Sequence, residues 1–320
     1  MTGIDTLLRP PMVDPAFRRD IVEGLSKSPK ATPPIWFYDR AGSELFEEIT
    51  RLPEYYPTRA ETEILATHGE AIAVAIGPDR CVVEFGAGSL TKTPLLLRAI
   101  RPDAYVPVDI SGDFLRDSAA TLAEDFPGLP IIPVEADFTQ PFALPSVGCP
   151  RRRLGFFPGS TIGNFDPHGA VSLLRAMRTS LGDEAMLLIG MDRVKGADVL
   201  VPAYDDAAGI TAQFNLNLLC RINRELGGDI PVSAFAHEAR WNDDAARIEM
   251  HLVATRDVVF DVAGQQFSMA AGESLHSESS HKYDGRMARL LLRAGGWEPM
   301  QEWQDSAGLF SLYLAKASAL

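Results

Sequence analysis

Hydrophobic positions along this chain change period several times. Between residues 81 and 191, short continuous apolar runs alternate with stretches in which apolar residues recur every three or four positions. Continuous runs suit strands covered on both faces, and the longer period suits the helices that cover them. Strands are therefore predicted at residues 81–85, 105–108, 129–134, 154–157 and 186–191, and helices at 60–76, from 92 through Ile100, and at 167–181. At Asp192 the rhythm changes. A long helix is predicted over 203–226, then a strand in which Ile248, Met250, Leu252 and Ala254 share one face. Residues 258–262 and 265–269 flank Ala263-Gly264 and predict a hairpin. A helix at 285–294 and strands at 297–304 and 309–315 close the chain. Residues 14–60 read as helical pieces separated by prolines, with Ser43 as the cap of a short amphipathic helix. The pattern is that of an α/β sheet interrupted by an insert and then resumed. The predicted domains are 60–194 plus 284–320, and a smaller, discontinuous α+β domain of 1–59 plus 195–283.

The first strand ends in Glu84-Phe85-Gly86-Ala87-Gly88 and leads straight into a helix. Two glycines at such a turn let a ligand approach the main chain closely. Thr91 stands where a dinucleotide fingerprint has its third glycine, and no Gly-Lys-Ser/Thr follows, so an NAD site is disfavoured and a P-loop excluded. Asp109 ends the second strand about 20 residues past the turn, where a carboxylate accepts ribose hydroxyls. Asp137-Phe138 follows the third strand. Each glycine alone reads equally well as a plain turn. The ordered set of Glu-x-Gly-x-Gly, Asp109 and Asp137-Phe138 resembles the S-adenosylmethionine site of class I methyltransferases, which implies a Rossmann-like sheet and that nucleoside as cofactor.

Composition narrows the partners. The chain has 320 residues, 46% of them hydrophobic and 23% charged, as in ordinary globular proteins. Its net charge of -13 and pI near 4.9 argue against nucleic acid or an anionic membrane, and Arg151-Arg152-Arg153 reads as a solvated loop. Three scattered cysteines predict neither a disulfide framework nor a zinc ribbon, and the six histidines lack ligand spacing, so no metal site is expected. With no leader-like N-terminus and no membrane-length apolar stretch, a cytoplasmic protein is expected, acting as a monomer on a small molecule.

Further candidates lie outside the glycine turn. Leu52-Pro53-Glu54-Tyr55-Tyr56-Pro57-Thr58-Arg59 is stiff and carries phenols, suiting either a ligand-facing loop or packing at a domain seam. The loop Pro158-Gly159-Ser160-Thr161-Ile162-Gly163-Asn164 follows a strand, where ligands gather in open α/β sheets. Asn164 can bond both polar groups of an amino acid, or simply occupy a left-handed turn position beside Gly163. Met250 reads first as a core residue. In Glu278-Ser279-Ser280, an extended chain puts the carboxylate and the second hydroxyl on one side, where they can read a ring with two nitrogens. The alternative is a hydrophilic loop with Ser280 near a helix start.

Together, Tyr38-Asp39-x-x-Gly42-Ser43-x-Leu45-Phe46, the Leu52 to Arg59 string, Gly159-Ser160-Thr161-Ile162-Gly163-Asn164, Tyr204-Asp205-Asp206, Phe214-Asn215 and Glu278-x-Ser280-x-Lys282-Tyr283 resemble the histidine Nα-methyltransferases of ergothioneine biosynthesis. The resemblance covers nearly the whole chain. It implies three methyl transfers to the α-amine of L-histidine, giving hercynine. It places the cofactor at Gly86, Lys92, Asp109, Asp137 and Phe138, with Tyr55 nearby. Asn164 and Tyr204 would hold the amine and carboxylate, Tyr38 would lie by the amine as the catalytic candidate, and Glu278 with Ser280 would read the imidazole beside Met250. Two other readings stay open: a relative acting on another aromatic amino acid, and a non-catalytic sensor of the same cofactor.

Overall fold

The computed structural model describes residues 14–88, 92–110, 112–145 and 152–318. Thr91, Cys149, Arg151 and residues 1–13, on which some of the expectations above fall, lie outside them. The chain opens with α1 (Pro15–Ser26), β1 (Lys30–Ala31), α2 (Arg40–Ile49) and α3 (Tyr56–Ile76). Then come β2 (Cys81–Phe85), α4 (Thr93–Ile100), β3 (Ala104–Asp109), α5 (Gly112–Asp125), β4 (Val134–Glu135), β5 (Arg153–Phe157), α6 (Pro167–Leu181) and β6 (Met186–Asp192). Next are α7 (Ala197–Tyr204), α8 (Ile210–Leu226), β7 (Phe235–Asn242), β8 (Arg247–Ala254), β9 (Val258–Val262), β10 (Gln265–Met269) and β11 (Ser274–His281). The last elements are α9 (Gly285–Ala294), β12 (Trp297–Gln304) and β13 (Phe310–Ala317).

Two compact units result. The larger comprises Glu47–Asp206, Trp241–Ile248 and Ser279–Leu320. It holds a seven-stranded sheet ordered β12-β13-β6-β5-β2-β3-β4, parallel from β4 to β6, with β13 antiparallel between β6 and β12. This strand order is the one that the resemblance to class I methyltransferases implies. Successive residues of its central strands enter two different cores: Val83 and Phe85 pack with Leu173, Leu174 and Trp297, whereas Val82 packs with Ile64, Ile72 and Leu96. Burial on both faces is the reason these strands read as unbroken apolar runs.

The smaller unit comprises the described part of residues 1–46 with Ala207–Arg240 and Glu249–Glu278. It holds most of a four-stranded sheet ordered β1-β11-β8-β7 and the β9–β10 hairpin, whose turn residues Ala263 and Gly264 both have positive φ, 53° and 78°. That pair matches the right-handed twist of the strands it joins. The division of contacts groups residues 47–59, 195–206, 241–248 and 279–283 with the larger unit, whereas the sequence placed its boundaries at 59/60, 194/195 and 283/284.

Four expectations are corrected. The helix predicted over 203–226 is two helices, because Asp205 leaves helical geometry and Gly209, at φ +72°, starts a new one. The strand predicted at 129–134 shrinks to Val134–Glu135 plus one bridge from Ile131 to Tyr105, since Pro130 and Pro133 remove two amide donors. Ser43 lies inside α2, and Asp39 supplies the cap, its Oδ1 accepting from the Gly42 N–H at 2.7 Å. Cys81 is disulfide-bonded, while Cys220 is a free, exposed thiol.

Candidate active site

In the larger unit the turn after β2 is pinned to the neighbouring strand, because the N–H groups of Gly86 and Ala87 both donate to the Val108 carbonyl, at 2.9 and 3.2 Å. Gly86 has φ +73°, a conformation that side-chain-bearing residues rarely adopt. The Phe138 ring lies over it, 3.7 Å from where a Cβ would stand, and Asp109 Oδ2 lies 3.9 Å from the equivalent point on Gly88. The fold thus assembles an open main-chain turn, a carboxylate and an aromatic ring, which fits a nucleoside with a ribose and a flat base. Asp137 is exposed, its Oδ1 accepting from the N–H and hydroxyl of Thr139 at 2.9 and 2.6 Å. Lys92 is buried with its ammonium 2.5 Å from Glu61 Oε2, and the Gly159 N–H donates to the same oxygen at 2.8 Å. This pair ties α3 to the start of α4 and to the loop after β5.

Beneath the turn, Glu84 is fully buried and its Oε2 accepts from the Thr93 and Tyr105 hydroxyls, both at 2.7 Å. Burial pushes this carboxyl up to about 7, against the pull of those two hydroxyls. The folded state then holds a proton that the unfolded chain releases near pH 4.5, so stability is full below that pH and falls as pH rises through about 7. The loss amounts to roughly 3 kcal/mol. Glu84→Gln should flatten this part of the stability curve, as read by urea unfolding from pH 5 to pH 8; an unchanged slope would mean that the carboxyl ionises without cost.

A second cluster in the same unit joins α7, β6 and the end of β11. Tyr204 Oη and Ser280 Oγ are 2.8 Å apart, and the Lys282 ammonium donates to both, at 2.8 and 2.9 Å. Lys282 also pairs with Asp192 Oδ2 at 2.8 Å, while Lys195 holds Asp192 Oδ1 at 2.5 Å. Tyr56 donates to Asp192 Oδ2 at 2.7 Å. Burial alone would raise the Asp192 carboxyl, but the two ammonium groups hold it below its usual range. Burial draws Lys195 down to about 8 and pushes the Tyr56 phenol far up. Tyr55 packs edge-on against the Tyr204 ring, with centroids 6.1 Å apart.

Asn164 ends a short 3-10 turn, Thr161–Asn164, that follows Ser160, whose hydroxyl oxygen accepts from the Asp192 N–H at 2.9 Å. A Cβ on Gly163 would stand 2.7 Å from the His281 carbonyl oxygen, so only glycine lets this loop abut the strand that carries Ser280. The left-handed positions of the loop belong to Gly159 and Ser160, at φ 78° and 57°, and not to Asn164. The turn-position reading of Asn164 is thereby removed.

In the smaller unit, Tyr38 is 37% exposed and its ring packs edge-on against Phe46 and Phe214, each 5.8 Å away. The next residue, Asp39, is held by Asn217 at 2.8 Å and by Arg224 at 2.5 Å. Met250 and Glu278 are both buried. Ser277 Oγ lies 2.7 Å from Asn215 Oδ1 and 3.0 Å from the Met250 carbonyl, which stitches α8 to two strands. Along β11 the buried positions are Leu275, Ser277, Glu278, Ser280 and His281. From Ser277 onward both faces of the strand carry buried residues, and the acid and the alcohol fall two positions apart, as an extended strand requires for one face.

A family model described as histidine-specific, SAM-dependent methyltransferase matches residues 17–317. The chain belongs to this family. Histidine N-alpha-methyltransferases of Mycolicibacterium smegmatis and Mycobacterium tuberculosis are 44% and 43% identical to it, each over 94% of this chain and 94% of their own. Ergothioneine biosynthesis protein 1 of Schizosaccharomyces pombe is 26% identical over 88% of this chain and 38% of its own. The sequence reading of this methyltransferase gave no role to Glu61, Asp192, Lys195 or Lys282. Asp192 had a usable signal, a lone acid ending an otherwise apolar buried strand. Glu61 had none, since it sits on an ordinary helical face and becomes a partner of Lys92 only through the fold.

Proposed function

We propose that this methyltransferase transfers three methyl groups from S-adenosylmethionine to the α-amine of L-histidine, giving hercynine for ergothioneine biosynthesis. The observation that carries the reading is the match to the histidine-specific family over residues 17–317. The assembled turn of Gly86, Gly88, Asp109 and Phe138 supports the cofactor. In this reading Asp109 bonds the ribose, Asp137 and Phe138 take the adenine, and Tyr55 and Lys92 border the same site. Asn164 and Tyr204 hold the amine and carboxylate of the amino acid. Glu278 and Ser280 read the two imidazole nitrogens, with Met250 against the ring. The domain roles follow: residues 60–194 with 284–320 bind cofactor, and residues 1–59 with 195–283 set amino-acid specificity. The protein works as a cytoplasmic monomer without nucleic acid or membrane partners. Among the described residues no helix is long and apolar enough to cross a membrane.

When bound, the cofactor supplies a methyl group on a sulfonium. The protein's task is to hold a neutral amine in line with that methyl at near-attack distance. An ammonium has no lone pair, so the amine must lose its proton before each transfer. In this reading Tyr38, 37% exposed and packed against two phenylalanines, orients the amine and passes that proton to solvent. Incubation with histidine and S-adenosylmethionine should yield a product carrying three added methyl groups by mass spectrometry. Methylation of tryptophan or tyrosine with histidine untouched would overturn the assignment.

A further inference from the structure

The geometry points to a binding site for a divalent transition-metal ion of the zinc class, formed by Glu249, His251 and His276. Glu249 and His251 are two apart on β8 and therefore share a face, and His276 stands on the adjacent strand β11. One ligand atom from each lies within 4.8 Å of the others. The two imidazoles stack with centroids 5.0 Å apart and planes 21° apart. Sequence spacing hides the set because its third member comes from another strand.

The hydrogen bonds around the cluster prepare nitrogen lone pairs. His276 Nε2 is 2.9 Å from the Glu278 carbonyl oxygen, which only accepts, so the proton sits on Nε2 and Nδ1 keeps its lone pair in the neutral ring. Such a second contact to a carbonyl is the usual support of a metal-binding imidazole. His251 Nδ1 is 3.2 Å from Ser274 Oγ and His251 Nε2 is 3.1 Å from Glu249 Oε2. Without metal, Nε2–H donates to the Glu249 carboxylate and the Ser274 hydroxyl donates to Nδ1; a cation would take the place of the Nε2 proton, released to solvent, between the same two atoms. Arg240 donates to Ser274 Oγ at 3.5 Å, and its guanidinium is paired with the Glu238 carboxylate at 3.0 and 2.8 Å.

Two imidazoles and one carboxylate suit zinc, whereas magnesium and calcium prefer oxygen donors throughout. Tetrahedral zinc with bonds of about 2.0–2.2 Å sets its ligand atoms roughly 3.3–3.5 Å apart, within reach of side-chain rotation from the observed spacing. Three protein ligands leave a fourth position for water. An ion here would clip β8 to β11, the strands that carry Met250 and Glu278.

The test is calorimetric titration of chelator-treated, desalted full-length protein with zinc chloride, with magnesium chloride as the comparison. One equivalent of zinc should bind at micromolar or lower Kd, with no magnesium heat, and should raise the melting temperature. Glu249→Gln, which keeps the shape of the side chain, and His276→Asn should each weaken zinc at least about hundredfold. His168→Asn, on an exposed helical position, should leave it unchanged. Melting without metal shows that each variant is folded. Zinc binding equal in parent, Glu249→Gln and His276→Asn, or no binding by the parent below millimolar zinc, would overturn the proposal.

Discussion

Glu278→Ala should weaken histidine binding about hundredfold while leaving binding of the cofactor product unchanged. The side chain is only 9% exposed, so water competes little for its carboxylate. A hydrogen bond from an imidazole N–H to such a carboxylate contributes on the order of 2–3 kcal/mol, which is roughly two decades of affinity. Selectivity should fall with it. A site built to bond a ring nitrogen rejects ligands that lack one because its buried group is left unpaired, and removing that group removes the penalty. Phenylalanine should therefore compete better in the variant than in the parent. Calorimetry with histidine, and separately with S-adenosylhomocysteine, measures both arms; equal histidine affinity in variant and parent would take Glu278 out of the imidazole site.

Lys282→Met is expected to cost both stability and substrate affinity. Lys282 and Asp192 are 1% and 0% exposed, and the lysine is the donor shared by Tyr204 and Ser280. Removing one partner of a buried pair costs about 3–5 kcal/mol, because the remaining charge is left under-compensated. For a unit of this size that lowers the melting temperature by on the order of 10 °C. If the network also orients Tyr204 and Ser280 for substrate, KM for histidine rises and KM for S-adenosylmethionine does not. Lys282→Arg, which retains a cation, should recover part of the stability. A lower melting temperature with both KM values unchanged would confine Lys282 to a structural role.

How much of this was legible depended on what each signal measures. The hairpin at Val258–Val262 and Gln265–Met269, the helices Pro167–Leu181 and Gly285–Ala294, and the strand Trp297–Gln304 were read to the residue, because apolar period and glycine punctuation are local properties. The strand at Phe235–Asn242 was missed since only two of its eight residues are fully buried and its polar positions show no strict alternation. Proline decided β4, where apolar residues suggested a strand longer than the donors allow.

The candidate site divides in the same way. Gly86, Asp109 and Phe138 follow strand ends at the order and spacing expected of a nucleoside site, and the fold gathers them. The Asp192, Lys195, Lys282 and Tyr56 network joins residues more than a hundred positions apart, so no window of sequence contains it. Glu249, His251 and His276 show the same limit, since a ligand set that spans two strands leaves no spacing motif.

The most direct test of the account is a crystal structure of the protein with L-histidine and S-adenosylhomocysteine bound. The account predicts the imidazole nitrogens on Glu278 and Ser280 and the α-amine directed toward the sulfur. A histidine ring turned away from those two side chains would contradict it.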